Sequence, residues 1–171
     1  MTTFLYLSPH FDDAALSCGG AMLRQRERGD TVTVLIVCAG TPDYAGLSAF
    51  AQAQHRRWGN PRDPIATRRA EDAEAMRRLG VSAEYLNVPD AIYRRNSRGR
   101  PLVFSNRSLF GRAHPEDAAL TEQIARAIRQ RAPSRRTRLV APLAAGRHVD
   151  HQLTRAAARL LAAQGYAVDW Y

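Results

Sequence analysis

The pattern that most limits how this chain can fold is its alternation of short apolar runs with helix-length amphipathic stretches. Phe4, Leu5, Tyr6 and Leu7 form a continuous apolar run that ends at a proline, as a strand covered on both faces does. Ala14–Arg28 then has the length and composition of a helix, with Asp12 or Asp13 available as its cap and Gly29 as its stop. Thr31–Ala39 is a β-branched run closed by Gly40 and Pro42. Strand, helix and strand in immediate succession predict a right-handed crossover between parallel strands, because other connections between parallel strands are rare.

The alternation continues. Ser48–Trp58 reads as a short helix, and Gly59, Asn60, Pro61 and Pro64 as an irregular loop. Ala66–Leu79 places Ala66, Ala70, Ala73, Met76 and Leu79 on one face before Gly80. Ala83–Val88 is a third strand, followed by a basic turn at Arg94–Pro101. Glu116–Arg131 is an amphipathic helix, Arg138–Pro142 a fourth strand and Leu153–Ala163 a last helix, with a further strand beginning in Tyr166–Tyr171. The expected fold is therefore α/β: a Rossmann-like three-layer sandwich with a mostly parallel sheet. A chain of 171 residues suits one domain with a single core, spanning residues 1–171.

Composition narrows the function classes. The formal net charge is +9, yet all 25 basic residues are arginine, scattered in pairs such as Arg56-Arg57 and Arg135-Arg136. No aromatic-interleaved stripe suited to stacking bases accompanies them, so no nucleic-acid partner is expected. The apolar runs are too short to span a bilayer, and Met1–Ser8 lacks the basic region of a signal peptide, which makes the cytoplasm the expected location. Cys18 and Cys38 alone imply neither a disulfide scaffold nor a cysteine zinc site.

In an open parallel sheet, ligands bind beyond the carboxyl ends of the strands. Two polar clusters occupy such positions. Ser8-Pro9-His10-Phe11-Asp12-Asp13 follows the first strand, and no GxGxxG occurs there to support a dinucleotide. Gly146-Arg147-His148-Val149-Asp150-His151 follows the fourth strand. Imidazole nitrogen and carboxylate oxygen suit zinc and related divalent ions, and a hydrolytic site needs three such ligands with a position left open for water. His10, Asp13 and His151 supply such a set, and Asp12 is placed as a general base beside it. Taken singly, each cluster has a plainer reading: Asp12 and Asp13 could merely cap a helix, and Asp150 another. It is their occurrence together, at equivalent strand ends, that points to a site.

The strand followed by Pro9-His10-Phe11-Asp12-Asp13, paired with a late His148-Val149-Asp150-His151, resembles the LmbE-like or PIG-L family of zinc-dependent N-deacetylases. Arg68-Arg69-Ala70-Glu71 through Leu79-Gly80 is similar to that family's Arg-x-x-Glu helix, and Pro89-Asp90 to its turn after the next strand. The likeness runs from residue 4 to about residue 161. It implies an amidohydrolase that removes an acyl group, most simply acetyl, from an amino sugar or glycoconjugate. It implies Zn2+ on His10, Asp13 and His151, with Asp12 as general base. His148 would be a charged group that stabilises the oxyanion or protonates the leaving amine, with Asp150 orienting its ring. Arg68 and Asp90 would hold sugar hydroxyls, and assembly of several copies would be in keeping with the family.

Three positions depart from the family pattern. Ala14 stands where many members have glutamate, and Gly146 where some sugar deacetylases have tyrosine near the oxyanion. The chain ends as a new strand begins, where the resemblance implies several further elements, so the domain is expected to lack carboxyl-terminal elements that could contribute substrate contacts. Two other readings fit the same residues: a non-haem iron or other metal enzyme on the same ligands, and a non-catalytic module holding an acidic ligand. Arg94, Arg95, Arg98 and Arg100 form either a basic rim or a solvated loop. Gly40–Pro64 and Asp90–Gly111 are expected to border the pocket.

Overall fold

The computed structural model of the chain describes residues 1–59 and 62–171. Strand β1 (Thr3–Ser8) leads into helix α1 (Asp13–Glu27), β2 (Thr31–Ile36), α2 (Ala49–Arg57), α3 (Pro64–Leu79) and β3 (Ser82–Tyr85). A 3-10 turn at Ala91–Tyr93, a short helix α4 (Asn106–Leu109) and a second 3-10 turn at Pro115–Asp117 precede α5 (Ala118–Arg131), β4 (Arg138–Ala141), α6 (Val149–Ala163) and β5 (Val168–Trp170). The strands form one sheet in the order β3-β2-β1-β4-β5, every neighbouring pair parallel. This is the expected α/β sandwich.

The alternation of side chains along each strand explains the two covering layers. Leu5, Leu7, Leu35 and Val37 pack with Ile124 and Ile128 of α5 and with Leu153 and Leu161 of α6. Phe4, Tyr6, Val34 and Ile36 pack on the other face with Ala14 and Met22 of α1 and Met76 of α3. Fully burying a side chain of this size contributes about 1.5–3 kcal/mol. The sheet is thus sealed on both sides, and its strand ends are where polar groups can gather.

Several boundaries differ from the expected ones, and each difference has a local cause. The β-branched run leaves β2 after Ile36 because the Val37 and Cys38 amides donate to Ser8 and Pro9 carbonyls and follow the loop beyond β1. The first residues expected in α5 form the Pro115–Asp117 turn instead. Helix α6 begins at Val149, ahead of the expected Leu153, because His148 caps it through Nδ1, which accepts the Asp150 amide at 3.2 Å. Of the expected loop at Gly59–Pro64, Asn60 and Pro61 lie outside the described residues.

One close approach positions the site. The Gly40 amide donates to the Val88 carbonyl at 2.9 Å. A Cβ on Gly40 would stand 2.8 Å from the Val88 carbonyl carbon, so only glycine lets the two backbones meet. That contact ties the segment ending at Asp90 to the loop after β2.

Candidate active site

The chain runs outward from β1 through β2 to β3, then crosses back to lay β4 against the other side of β1. Strand order therefore reverses between β1 and β4, which is where an open parallel sheet leaves a crevice at its carboxyl ends. Phe4, Leu5 and Tyr6 pair with Arg138, Leu139 and Val140, so the loops that leave these two strands are neighbours. The two polar clusters consequently meet, although most of the chain separates them in sequence.

Neither aspartate of the first cluster caps α1. Asp12 occupies the cap position without a side-chain cap hydrogen bond, and Ser8 Oγ accepts the Ala14 amide at 3.0 Å instead. Asp12 has a left-handed backbone, φ 75°, a conformation that costs an L-residue about 1–2 kcal/mol. Asp72 of α3, itself buried, holds that backbone by accepting the Asp12 amide at 3.1 Å. The Asp12 carboxylate is left half-exposed, 3.6 Å from an Arg68 nitrogen. Partial burial raises its pKa above the ordinary carboxylate value, against the opposing pull of Arg68. A half-exposed carboxylate of raised basicity is suited to accept a proton.

Asp13 turns inward. Its Oδ2 accepts the His10 amide at 2.9 Å and stands 3.3 Å from His10 Nδ1 and 3.2 Å from His151 Nε2. Donor atoms on a tetrahedral ion with bonds of about 2.0–2.1 Å lie roughly 3.3–3.4 Å apart, so these two separations fit a divalent ion among the three residues. His10, His148 and His151 also offer ring nitrogens within 4.8 Å of one another. Burial would raise the pKa of Asp13, but hydrogen bonds to His10 and His151 outweigh it and hold the carboxyl well below its usual range. Burial opposes a charge on His10, yet Asp13 and Asp150 outweigh it and raise the ring well above its usual value. A group of donors that draws positive charge inward in this way has the chemistry of a cation site.

Asp150 corrects one expectation. Its carboxylate does not orient His148; Oδ2 lies 2.9 Å from His10 Nε2 and accepts the Ala91 amide at 3.0 Å. Placed one residue into α6, its side chain points back under the β1 loop, whereas only its amide reaches His148. A carboxylate on the far nitrogen of a metal-ligating histidine fixes the ring and raises its basicity. His148 corrects another. It sits edge-on to His10 with ring centroids 4.6 Å apart, and burial together with the neighbouring His10 pushes its pKa down to about 4. The ring expected to carry a charge is neutral near pH 7, with Nδ1 accepting the Asp150 amide and the proton therefore on Nε2.

Arg94 overturns its place in the basic rim. It is buried, with NH1 donating to Asp150 Oδ1 at 2.5 Å and NH2 to Asp117 Oδ2 at 3.1 Å. Arg95, Arg98 and Arg100 do remain exposed. Neither Arg94 nor Asp117 nor Asp72 was marked out by the sequence. Arg94 is hidden in a chain crowded with arginine, and Asp117 reads as an ordinary acidic residue at a helix start. Asp72 had a usable signal, since it lies one helical turn beyond Arg68 on the same face of α3.

The remaining expected residues border a cavity of about 160 Å3 that reaches His10, Asp12, Asp13 and His148. Arg68 and Asp90 both line it, with Trp58 and Gln54 from the first expected rim segment and Ile92 and Leu109 from the second. Asp90 is fixed by accepting the Ile92 amide at 3.0 Å. The Arg68 guanidinium lies 5.3 Å from the Trp58 ring and 5.7 Å from that of Phe11, which holds its fork at the cavity wall. No helix is long and apolar enough to cross a membrane among the described residues.

The family model described as PIG-L, GlcNAc-PI de-N-acetylase, matches residues 5–162. A 2'-N-acetylparomamine deacetylase of Niallia circulans is 33% identical over 98% of this chain and 65% of its own length. The enzyme of the same name from Streptomyces fradiae is 31% identical over 91% of this chain and 50% of its own. The chain thus spans between half and two thirds of the curated relatives it matches. Among solved structures, a deacetylase of teicoplanin biosynthesis in complex with teicoplanin superposes with a TM-score of 0.86 at 32% identity, covering 98% of this chain and 68% of that one. The zinc-inhibited form of teicoplanin deacetylase Orf2 gives 0.85 at 32%, covering 98% and 66%. With the motifs in order, the clusters joined at the sheet's switch point and the family model matched almost from end to end, the chain belongs to the PIG-L (LmbE-like) family.

Proposed function

We propose that this chain carries the catalytic domain of a zinc-dependent hydrolase that removes an acetyl or other acyl group from the nitrogen of an amino sugar or its glycoside. The observation that carries the reading is Asp13 Oδ2 standing 3.3 Å from His10 Nδ1 and 3.2 Å from His151 Nε2, with the half-exposed carboxylate of Asp12 lining the same cavity. His10, Asp13 and His151 would hold the ion. Bound there, zinc supplies Lewis acidity, polarising a carbonyl and acidifying a water. The relatives named above, a 2'-N-acetylparomamine deacetylase and a deacetylase of teicoplanin biosynthesis, support an amino-sugar substrate.

The protein groups divide the work. Asp12 takes the proton of the attacking water and can return it to the departing amine. His148, neutral and protonated on Nε2, donates a hydrogen bond to the developing oxyanion, as a preorganised dipole rather than a charge. Asp150 holds His10. Arg68 and Asp90, a donor and an acceptor lining the same cavity, grip substrate hydroxyls. The products are the free amine and a carboxylate, acetate in the simplest case. Two free buried thiols, Cys18 and Cys38, suit a reducing compartment, and we place the protein in the cytoplasm.

The test pairs metal analysis with turnover. Wild type and His151→Ala are compared for zinc content after exposure to one equivalent, and both are assayed for acetate released from N-acetylated amino sugars. Zinc near one per chain, lost in the variant, with acetate released by the wild type alone, supports the reading. Metal unaffected by the substitution, or iron with oxygen-dependent turnover, overturns it. Asp12→Ala separates base from ligand: it keeps its metal and loses turnover.

A further inference from the structure

Behind His10 and its partner Asp150 lies a buried ion pair, Arg94 with Asp117, that no part of the proposed reaction uses. The Asp150 side chain is fully buried, and both of its oxygens are engaged. Oδ1 receives Arg94 NH1 at 2.5 Å, while Oδ2 receives the Ala91 amide at 3.0 Å and faces His10 Nε2 at 2.9 Å. An ionised carboxylate only accepts, so Asp150 holds the His10 ring through a proton on Nε2, while Nδ1 is the nitrogen that faces Asp13. Arg94, 6% exposed, is gripped in turn. NH1 also donates to the Pro89 carbonyl at 3.2 Å, and NH2 donates to Asp117 Oδ2 at 3.1 Å. Its Nε lies 3.0 Å from Asp117 Oδ1, but the N–H is misaligned and makes no hydrogen bond.

We propose that Arg94, anchored by Asp117, is a positioning residue for the metal centre: it fixes the plane of the Asp150 carboxylate so that His10 keeps its proton on Nε2 and aims Nδ1 at the ion. The inference rests on the metal site proposed above. A planar fork is needed because two carboxylates on opposite sides must be reached from one cation. Lysine can supply the charge but has no rigid fork to fix both carboxylates in one geometry. The anchor also connects the centre to α5, whose first residue follows Asp117 directly. A carboxylate held only by a single amide could rotate, and the ring it supports would lose its direction.

The experiment is zinc competition against a chromophoric chelator, with the metal alone as probe, on wild type, Arg94→Met, Arg94→Lys and Asp117→Asn. Nitrogen-15 histidine spectra of the zinc-loaded proteins read which His10 nitrogen carries the proton, and thermal unfolding reads stability. Loss of an outer partner of a metal ligand costs roughly 10–100-fold in metal affinity. The proposal expects that loss for Arg94→Lys and Asp117→Asn, with the single Nε2–H form of His10 replaced by a mixture. Where Arg94→Met fails to fold, the two milder variants decide. Variants that unfold at lower temperature but keep the wild-type zinc affinity and His10 tautomer show a merely structural ion pair and overturn the proposal. A wild type that binds no zinc overturns the metal site itself, a separate and recognisable outcome.

Discussion

The left-handed backbone of Asp12 makes Asp72 a sensitive place to perturb the site without touching it. At Asp12 an L-residue carries about 1–2 kcal/mol of conformational cost. The hydrogen bond from its amide to Asp72 Oδ1, at 3.1 Å, contributes about 1–3 kcal/mol and offsets that cost. Asp72→Ala removes the offset, so the backbone is free to leave the conformation that presents the carboxylate. With each 1.4 kcal/mol worth a factor of ten in rate, turnover falls about 5- to 100-fold. Zinc content stays unchanged, because none of the three proposed ligands is touched. The same change strands the Tyr85 hydroxyl, which donates to Asp72 Oδ2 at 3.0 Å, and the combined loss of about 2–6 kcal/mol lowers the melting temperature by roughly 4–24 °C. Tyr85→Phe is the control: it removes that second bond, leaves the Asp12 amide paired and keeps turnover near wild type. Steady-state acetate release at fixed metal loading measures both. A folded, zinc-loaded Asp72→Ala protein turning over at the wild-type rate would refute the argument that Asp12 is held in place by this bond.

Three further outcomes follow from the geometry. His148→Gln retains more activity at pH 7 than His148→Ala, because the group it replaces is a neutral donor with its pKa pushed down to about 4; equal losses in the two variants would restore a charged role. In the same assays kcat/KM rises with pH on its acid side, since Asp12 must be deprotonated, and that limb lies above the ordinary carboxylate value of 3.8 because burial raises Asp12. Gly40→Ala forces a Cβ to within 2.8 Å of the Val88 backbone, costs about 1–3 kcal/mol in stability and raises KM by displacing Asp90; a melting temperature and KM both matching wild type contradict the tie between the two loops.

The sheet and its helices were legible because their signals are local. β-branched runs, apolar spacing and the glycines at positions 29 and 80 need no partner to be read, and Thr3–Ser8 and the end of α3 fall where expected. The ligand residues were legible because histidine and aspartate gathered after two strands. What the sequence withheld depends on direction in space. Nothing in His148-Val149-Asp150-His151 tells whether Asp150 faces its neighbour or the opposite loop; that is decided by where α6 begins, and the cap that starts it is the histidine ring itself. Arg94 looked like one more exposed cation because burial of an arginine requires two carboxylates, Asp150 and Asp117, from distant parts of the chain. Asp12 and Asp13 read equally well as caps, and only the seat of Ser8 Oγ on the Ala14 amide frees them.

The seam between β1 and β4 has a consequence for dynamics. In the middle of the sheet, β1 shares six paired positions with β2 but three with β4, so the junction that completes the site is the shorter of the two. His10 and Asp13 belong to one side of that junction and His151 to the other. An ion held by all three binds only while the seam is closed, and through mass action it deepens the closed state by about 2.7 kcal/mol when free metal stands at a hundred times its Kd. Amide hydrogens of β4 and the first turns of α6 should then exchange about a hundredfold more slowly in the loaded protein wherever they exchange through opening of this seam, while those of β2 and β3 stay nearly unaffected. The metal would act as a latch on the fold as well as a reagent, and supply of the ion would set how long the two halves of the chain remain joined.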